Sequence, residues 1–210
     1  GYWVKDTIKS VKINNIDYKQ YSIIYLECDN SKVPSITIPS KNDTETHIWP
    51  RAGENNCVYT IKLLKLSIPI ECCKTENKVS NITKSGVIME YFELNQDVYT
   101  SFNWMEYIVR AGWTKRDNEC WFQFLDRDQM KSNVVLYSVD KCFKKSNSNE
   151  NKTCPYQILL EIEGTPWINV MDSFQFIDEG LLWTSEHTGF NHLYFIPYPN
   201  DTNKKINNDN

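Results

Sequence analysis

The chain has 210 residues and a formal net charge of −4. A balance this close to neutral, on the acidic side, excludes the basic footprint of a nucleic-acid binder. No run of 18 apolar residues is present to cross a membrane, while hydrophobic residues at 40% suffice for a packed core and an aromatic share of 13% favours pleated, half-buried strands.

Taken in order, the chain opens on Gly1 without a charged-then-apolar leader and reads as a fragment or a processed product. Short runs rich in β-branched and aromatic residues come next, and each is a predicted strand: Tyr21–Cys28, Val33–Ile38, Val58–Ser67, Val87–Leu94, Glu106–Arg110, Cys120–Asp126, Asn133–Val139, Tyr156–Ile162, Leu181–Glu186 and Asn191–Ile196. In Val58–Ser67 the alternation puts Tyr59, Ile61 and Leu63 on one face. Turn residues punctuate the runs, as at Asp29-Asn30-Ser31, Asn55-Asn56, Asp117-Asn118, Glu179-Gly180 and Thr188-Gly189. About ten short strands at this spacing indicate an all-β sandwich, barrel or propeller. Ser101–Tyr107 has room for a short helical turn. Two polar stretches, 141–154 and the Asn-rich tail 199–210, bury too little apolar surface to offset chain entropy and are expected to be disordered. A third, 72–85, reads as a long hairpin tip. No repeat of 20–50 residues is visible, which divergent propeller blades permit.

Seven cysteines stand at 28, 57, 72, 73, 120, 142 and 154, an odd number with no Cys-x-x-Cys pair. That spacing speaks against a complete disulfide framework and a structural zinc site, and for reduced thiols in an intracellular protein. Asn42, Asn81, Asn151 and Asn200 head Asn-x-Ser/Thr sequons, but 22 Asn and 29 Ser plus Thr give about 3 by chance, so the sequons do not separate secreted from intracellular.

Catalytic groupings are sparse. None of the seven glycines flanks a serine as a Gly-x-Ser-x-Gly elbow requires, and no glycine-rich phosphate loop precedes a helix. His187 and His192 are five apart, which puts their rings out of phase for a shared metal ion; no metal and no cofactor is expected. Asp126 and Asp128 flank Arg127, and the group is read as a structural ion pair at a hairpin end rather than an acid/base pair.

Several strings carry more than composition does. Trp49-Pro50-Arg51-Ala52-Gly53-Glu54-Asn55 resembles the Tyr-Pro-Arg/Lys-Ala/Thr-Gly segment of the dipeptidyl peptidase IV family. Tyr107–Thr114 (YIVRAGWT, with Arg110, Gly112 and Trp113), followed by Trp121 and by Leu125–Gln129 (LDRDQ, with Asp126, Arg127 and Gln129), is similar to the intracellular branch of that family, dipeptidyl peptidases 8 and 9. So are Pro166–Val170 with Trp167, then Asp172 and Phe174; Thr188–Tyr194, with Gly189 and His192; and the opening Gly1-Tyr2-Trp3. The strings stand in the family's order.

The resemblance implies an all-β fold, a partial β-propeller of about three of eight blades over residues 1–198. It implies that the full-length protein adds the remaining blades and an α/β-hydrolase domain, and removes Xaa-Pro or Xaa-Ala dipeptides from peptide N-termini with a Ser-Asp-His triad. No catalytic residue would then lie in this chain: paired glutamates holding the substrate amine would fall before Gly1, and the triad beyond Asn210. Met171, Asp172 and Phe174 would lie nearest the substrate, at the cavity rim, with a core aromatic as the competing reading of Phe174. The remaining motif residues named above would be structural. Residues 33–48 would form an arm leaving the sheet toward a homodimer partner, as Pro34 and Pro39 suit an edge hairpin. Peptides would be the partners, with neither nucleic acid nor membrane, and the location cytoplasmic. Two departures stand out: Val4 where the family has a second Trp, and Met171 where the branch carries His. A non-enzymatic interaction module is the alternative, and an unrelated secreted sandwich a third reading that the strings disfavour.

Overall fold

The computed structural model describes residues 2–5, 8–41, 43–70, 86–146, 154–164 and 166–199. It is almost wholly antiparallel sheet, in two compact units divided at Val98/Tyr99. The predicted insertion 72–85 and the tail from residue 200 lie outside the described residues, as do all four sequon asparagines.

The first unit is built on two long strands. β3 (Ile16–Asp29) and β6 (Val58–Pro69) pair from Tyr18↔Pro69 to Asp29↔Val58. β1 (Tyr2–Val4) and β2 (Lys9–Ile13) both line the outer edge of β3, and Lys5 N donates to Ser22 O (2.8 Å) between them. Together they act as one interrupted edge strand, so with β7 (Ile88–Glu93) on the far side of β6 the sheet is a meander four strands wide. Its two faces differ. Ile24, Ile61 and Leu63 are buried on one, in company with Ser22, Lys65 and Ser67. The other carries half-buried Tyr21, Ile23, Tyr25, Leu64 and Leu66, and exposed Met89 (69%) and Tyr91 (70%). β4 (Ser35–Pro39) and β5 (Thr44–Ile48) form a separate two-stranded hairpin whose side chains are nearly all exposed.

The second unit holds two sheets. β8 (Met105–Trp113), β9 (Glu119–Asp126), β10 (Lys131–Ser138) and β11 (Tyr156–Glu163) form a four-stranded meander; β12 (Phe174–Ile177), β13 (Gly180–Ser185) and β14 (His192–Pro197) form a three-stranded one. β9 is buried along almost its whole length, because both its faces are covered. On one side Phe122 and Phe124 pack with Phe102, Tyr137 and Tyr156. On the other, Trp121, Val134 and Leu136 meet Phe176, Leu181 and Trp183 of the three-stranded sheet. The Trp121 ring lies 5.1 Å from Phe174 and 5.0 Å from Phe176, edge-on and tilted. Burying an aromatic or aliphatic side chain of this size stabilises by about 1.5–3 kcal/mol, so this joint accounts for much of what holds the two sheets together.

The fold class is therefore all-β, and the three meanders match three blades of a partial propeller. The sequence-predicted strands all appear with shifted ends, and four more join them: β1, β2, β5 and β12. The helical turn expected at Ser101–Tyr107 is instead α1 (Asn95–Ser101). Residues 141–146, expected to be disordered, belong to α2 (Val139–Ser146), whose buried Cys142 and Phe143 give it an inner face. Cys142 is bridged to Cys154, against the expectation of thiols throughout; Cys28, Cys57 and Cys120 are thiols outside any bridge. The bridge closes a 12-residue separation that the sequence offers no means of pairing.

Two outcomes are expected. Gly112 faces Trp121 across β8 and β9, and a Cβ there would stand 2.9 Å from Trp121 Nε1. Gly112→Ala forces the indole into the joint between the sheets and should lower the urea midpoint by an amount equivalent to about 1–3 kcal/mol. The exposed apolar faces of β7 (Met89, Tyr91) and β14 (Leu193, Phe195) should drive the 210-residue chain to self-associate on its own. A single monomeric species in sedimentation at micromolar concentration would overturn that expectation.

Candidate functional site

Four of the motif strings come together in the second unit, around Gly164 and the irregular stretch 166–173 that precedes β12. The first is the β9–β10 turn. Asp126 Oδ1 accepts from the amides of Met130 and Lys131, both at 2.8 Å, and Gln129 takes a left-handed backbone (φ 59°). The turn is thereby held open with two carbonyls aimed outward: Gln129 O accepts from Ile168 N (2.6 Å) and Met130 O from Gly164 N (3.0 Å). Arg127 forms an ion pair with Glu106 of the neighbouring strand, Nη1 to Oε1 2.8 Å. Asp126 acts instead as a turn cap.

The second is β8. Ile108 pairs with Phe124, but Arg110, not Val109, pairs with Gln123. The extra residue is a β-bulge at Val109, and a bulge re-aims the side chains beyond it. Directly opposed residues share a face, so Arg110 lies on the side of Gln123 and Trp121, toward the three-stranded sheet. There its Nη2 donates to Met171 O (2.7 Å) and to Asp172 Oδ1 (2.7 Å), and its guanidinium lies 5.2 Å from the centre of the Phe174 ring. The third string is the segment itself. Trp167 Nε1 donates to Asn169 Oδ1 (3.1 Å), and Asn169 Nδ2 to Glu186 Oε2 (2.9 Å). The fourth is the β13–β14 turn that Glu186 opens, where Gly189 N donates to Glu186 O (2.8 Å) and Gly189 adopts φ +92°. Thr188 Oγ1 and Tyr194 Oη are 3.1 Å apart, and the His187 and His192 rings flank Tyr194.

Of the three rim residues read from the sequence, Asp172 is exposed, its side chain 93% so, and Met171 is half-buried. Phe174 is packed by Trp121 and Trp183 beneath Arg110, and so doubles as a core aromatic. Trp113 lies half-buried at the end of β8, paired with Cys120. Trp49, Pro50, Arg51 and Gly53 lie in the other unit: Trp49 N closes the hairpin on Pro34 O (2.9 Å), and Gly53 (φ +83°) sits in the turn where Glu54 N donates to Arg51 O and Arg51 N to Glu54 Oε2, both at 3.0 Å. Burial raises the Tyr198 phenol above its ordinary range, beside Arg116. Among the described residues no group of three or more His, Cys, Asp or Glu is placed to hold a metal ion, and no helix is long and apolar enough to cross a membrane. Sequence reading left Glu186 and Asn169 without a role, because a hydrogen bond between side chains 17 residues apart leaves no pattern in composition.

Residues 18–210 match the model of the dipeptidyl peptidase IV (DPP IV) N-terminal region. The chain belongs to that family. It is 28% identical over 216 residues to dipeptidyl peptidase 8 of Homo sapiens, covering 93% of this chain and 22% of that protein. It is 28% identical over 196 residues to dipeptidyl peptidase 8 of Mus musculus, covering 83% and 20%. A solved Bacteroides ovatus structure, described as a putative dipeptidyl aminopeptidase IV, superposes with a TM-score of 0.53 at 11% identity, over 92% of this chain and 30% of that one, a likeness of fold. The chain spans about a fifth of the length of the two dipeptidyl peptidase 8 proteins.

The Asp126 cap yields a specific expectation. Asp126→Ala strands two backbone amides and should cost about 1–2 kcal/mol, while Asp126→Asn keeps an acceptor and most of the stability. Hydrogen exchange at Met130 and Lys131 reads it directly; equal exchange in both variants would refute the capping role.

Proposed function

We propose that the chain is the propeller portion of a serine-type dipeptidyl peptidase, gating and supporting a hydrolase domain elsewhere in the full-length protein. Membership of the DPP IV N-terminal family and the names of its relatives support this reading. The observation that carries it is the meeting of four family strings at one segment, with Arg110, Gln129, Asn169 and Glu186 as its fixed points. On this reading the substrates are peptides with Pro or Ala as second residue, and Met171, Asp172 and Phe174 lie nearest them. The exposed β4–β5 hairpin, with Ile38 and Ile48 on its surface, is the arm toward a second copy of the chain. The location is cytoplasmic, in keeping with the unbridged thiols of Cys28, Cys57 and Cys120; the Cys142–Cys154 pair would then meet a reducing pool.

The decisive experiment is a dipeptidyl peptidase assay on the full-length protein with a Gly-Pro fluorogenic substrate, with the 210-residue chain as control. Activity in the first and none in the second is expected. No activity in either would favour the non-enzymatic interaction reading, and activity in the 210-residue chain would overturn the view that its residues hold no catalytic centre.

A further inference from the structure

Gly164 and residues 166–173 lie in no strand or helix, so the shape of this segment depends on individual bonds. Its beginning is tied by backbone contacts, Gly164 N to Met130 O and Ile168 N to Gln129 O, and by the buried Ile168 side chain. Its end is tied by Thr184 Oγ1, which donates to Ser173 O (2.8 Å). Between these ties lie half-buried Val170 and Met171 and exposed Asp172. The hydrogen bonds that hold them come from Arg110 Nη2: 2.7 Å to Met171 O, 2.7 Å to Asp172 Oδ1 and a long 3.5 Å to Val170 O.

We propose that Arg110 is a positioning residue for this rim segment, fixing Val170–Asp172 and so the placement of Met171 against the part of a peptide that lies beyond the cleaved dipeptide. This rests on the peptidase reading above. Three features favour positioning over a merely structural ion pair. Asp172 is almost fully exposed, so its pairing in solvent contributes little to stability by itself. Arg110, by contrast, is 18% exposed and lies over the Phe174 ring, so the cation is set by the core and the segment is set by the cation. Its Nε is buried without a hydrogen-bond partner, so the bonds to the rim fall to Nη2. A planar guanidinium suits this role, because it stacks on the ring and directs donors at both a carbonyl and a carboxylate. A lysine ammonium lacks the plane and the fork. The bulge at Val109 is what delivers Arg110 to this face, so the backbone of β8 is shaped around the contact.

The test uses the full-length protein with Arg110→Ala, Arg110→Lys and Asp172→Asn. Two substrates are compared, a Gly-Pro dipeptide dye and a peptide with Gly-Pro at its N-terminus and several residues beyond the scissile bond. Loss of a held rim should cost the long peptide about tenfold in kcat/KM, chiefly through KM, against about twofold for the dye. Arg110→Lys should recover only part of the loss, and Asp172→Asn should show the same length dependence more weakly. Hydrogen exchange over 168–174 should quicken in Arg110→Ala while β9 and β10 stay protected, which separates a loosened rim from a misfolded unit. An active wild type in which Arg110→Ala affects both substrates alike, or neither, overturns the positioning role alone. A wild type without peptidase activity sinks the peptidase reading, and this role with it.

Discussion

A sheet of three or four strands has two faces and cannot dry both by itself. In the second unit one joint answers that need: the Trp121 indole, wedged between its own sheet and Phe174 and Phe176 of the next. The other described features of the unit depend on keeping that wedge in place. Gly112 gives up its side chain to admit the ring, β9 is buried from Glu119 to Leu125, and the segment leading into β12 must pass over the rim of the joint. That passage is where backbone groups lack ladder partners, and it is where the family strings supply them.

The polar contacts of the rim divide their labour by burial. Asp126 spends its carboxylate on two amides of its own turn and so releases the carbonyls of Gln129 and Met130 for the neighbouring segment. Arg110 works from a half-dry position, where a cation is less screened and a donor direction is better defined. Asn169 and Glu186 join the segment to the β13–β14 turn with a bond between exposed groups, the kind that adds direction more than energy. Rigid sheets thus carry a short irregular stretch whose shape a few side chains decide.

How far this was legible from the residues varies with the range of the interaction. Strands such as β6 were visible because alternation is local: Ile61 and Leu63 share the buried face that their spacing implies. β1 and β2 escaped notice because each is short and exists only by lining β3, a partner that comes after them in the chain. α2 was hidden because its polar residues mask an inner face of Cys142 and Phe143, and the Cys142–Cys154 bridge because seven cysteines allow many pairings. The site strings were legible as a resemblance, and LDRDQ as the place of a structural ion pair at a hairpin end, though not the partner in it. Adjacent charges suggested an internal ion pair, whereas Asp126 turns to backbone amides and Arg127 to Glu106 on the neighbouring strand. Arg110 sits 61 and 62 residues before its partners, and no pattern along the chain announces such a bond.

The bulge at Val109 makes the length of β8, not only its composition, a determinant of the rim. Pleated side chains keep strict parity, so if Val109 were drawn into a regular ladder it would oppose Gln123, and Arg110 would oppose Phe122 on the other face while every chemical group at the rim survived. Divergence at such a place need not proceed by exchanging one side chain for another. A change that irons out this bulge would alter the rim in one step, which makes the register of β8 against β9 a route to a differently shaped rim.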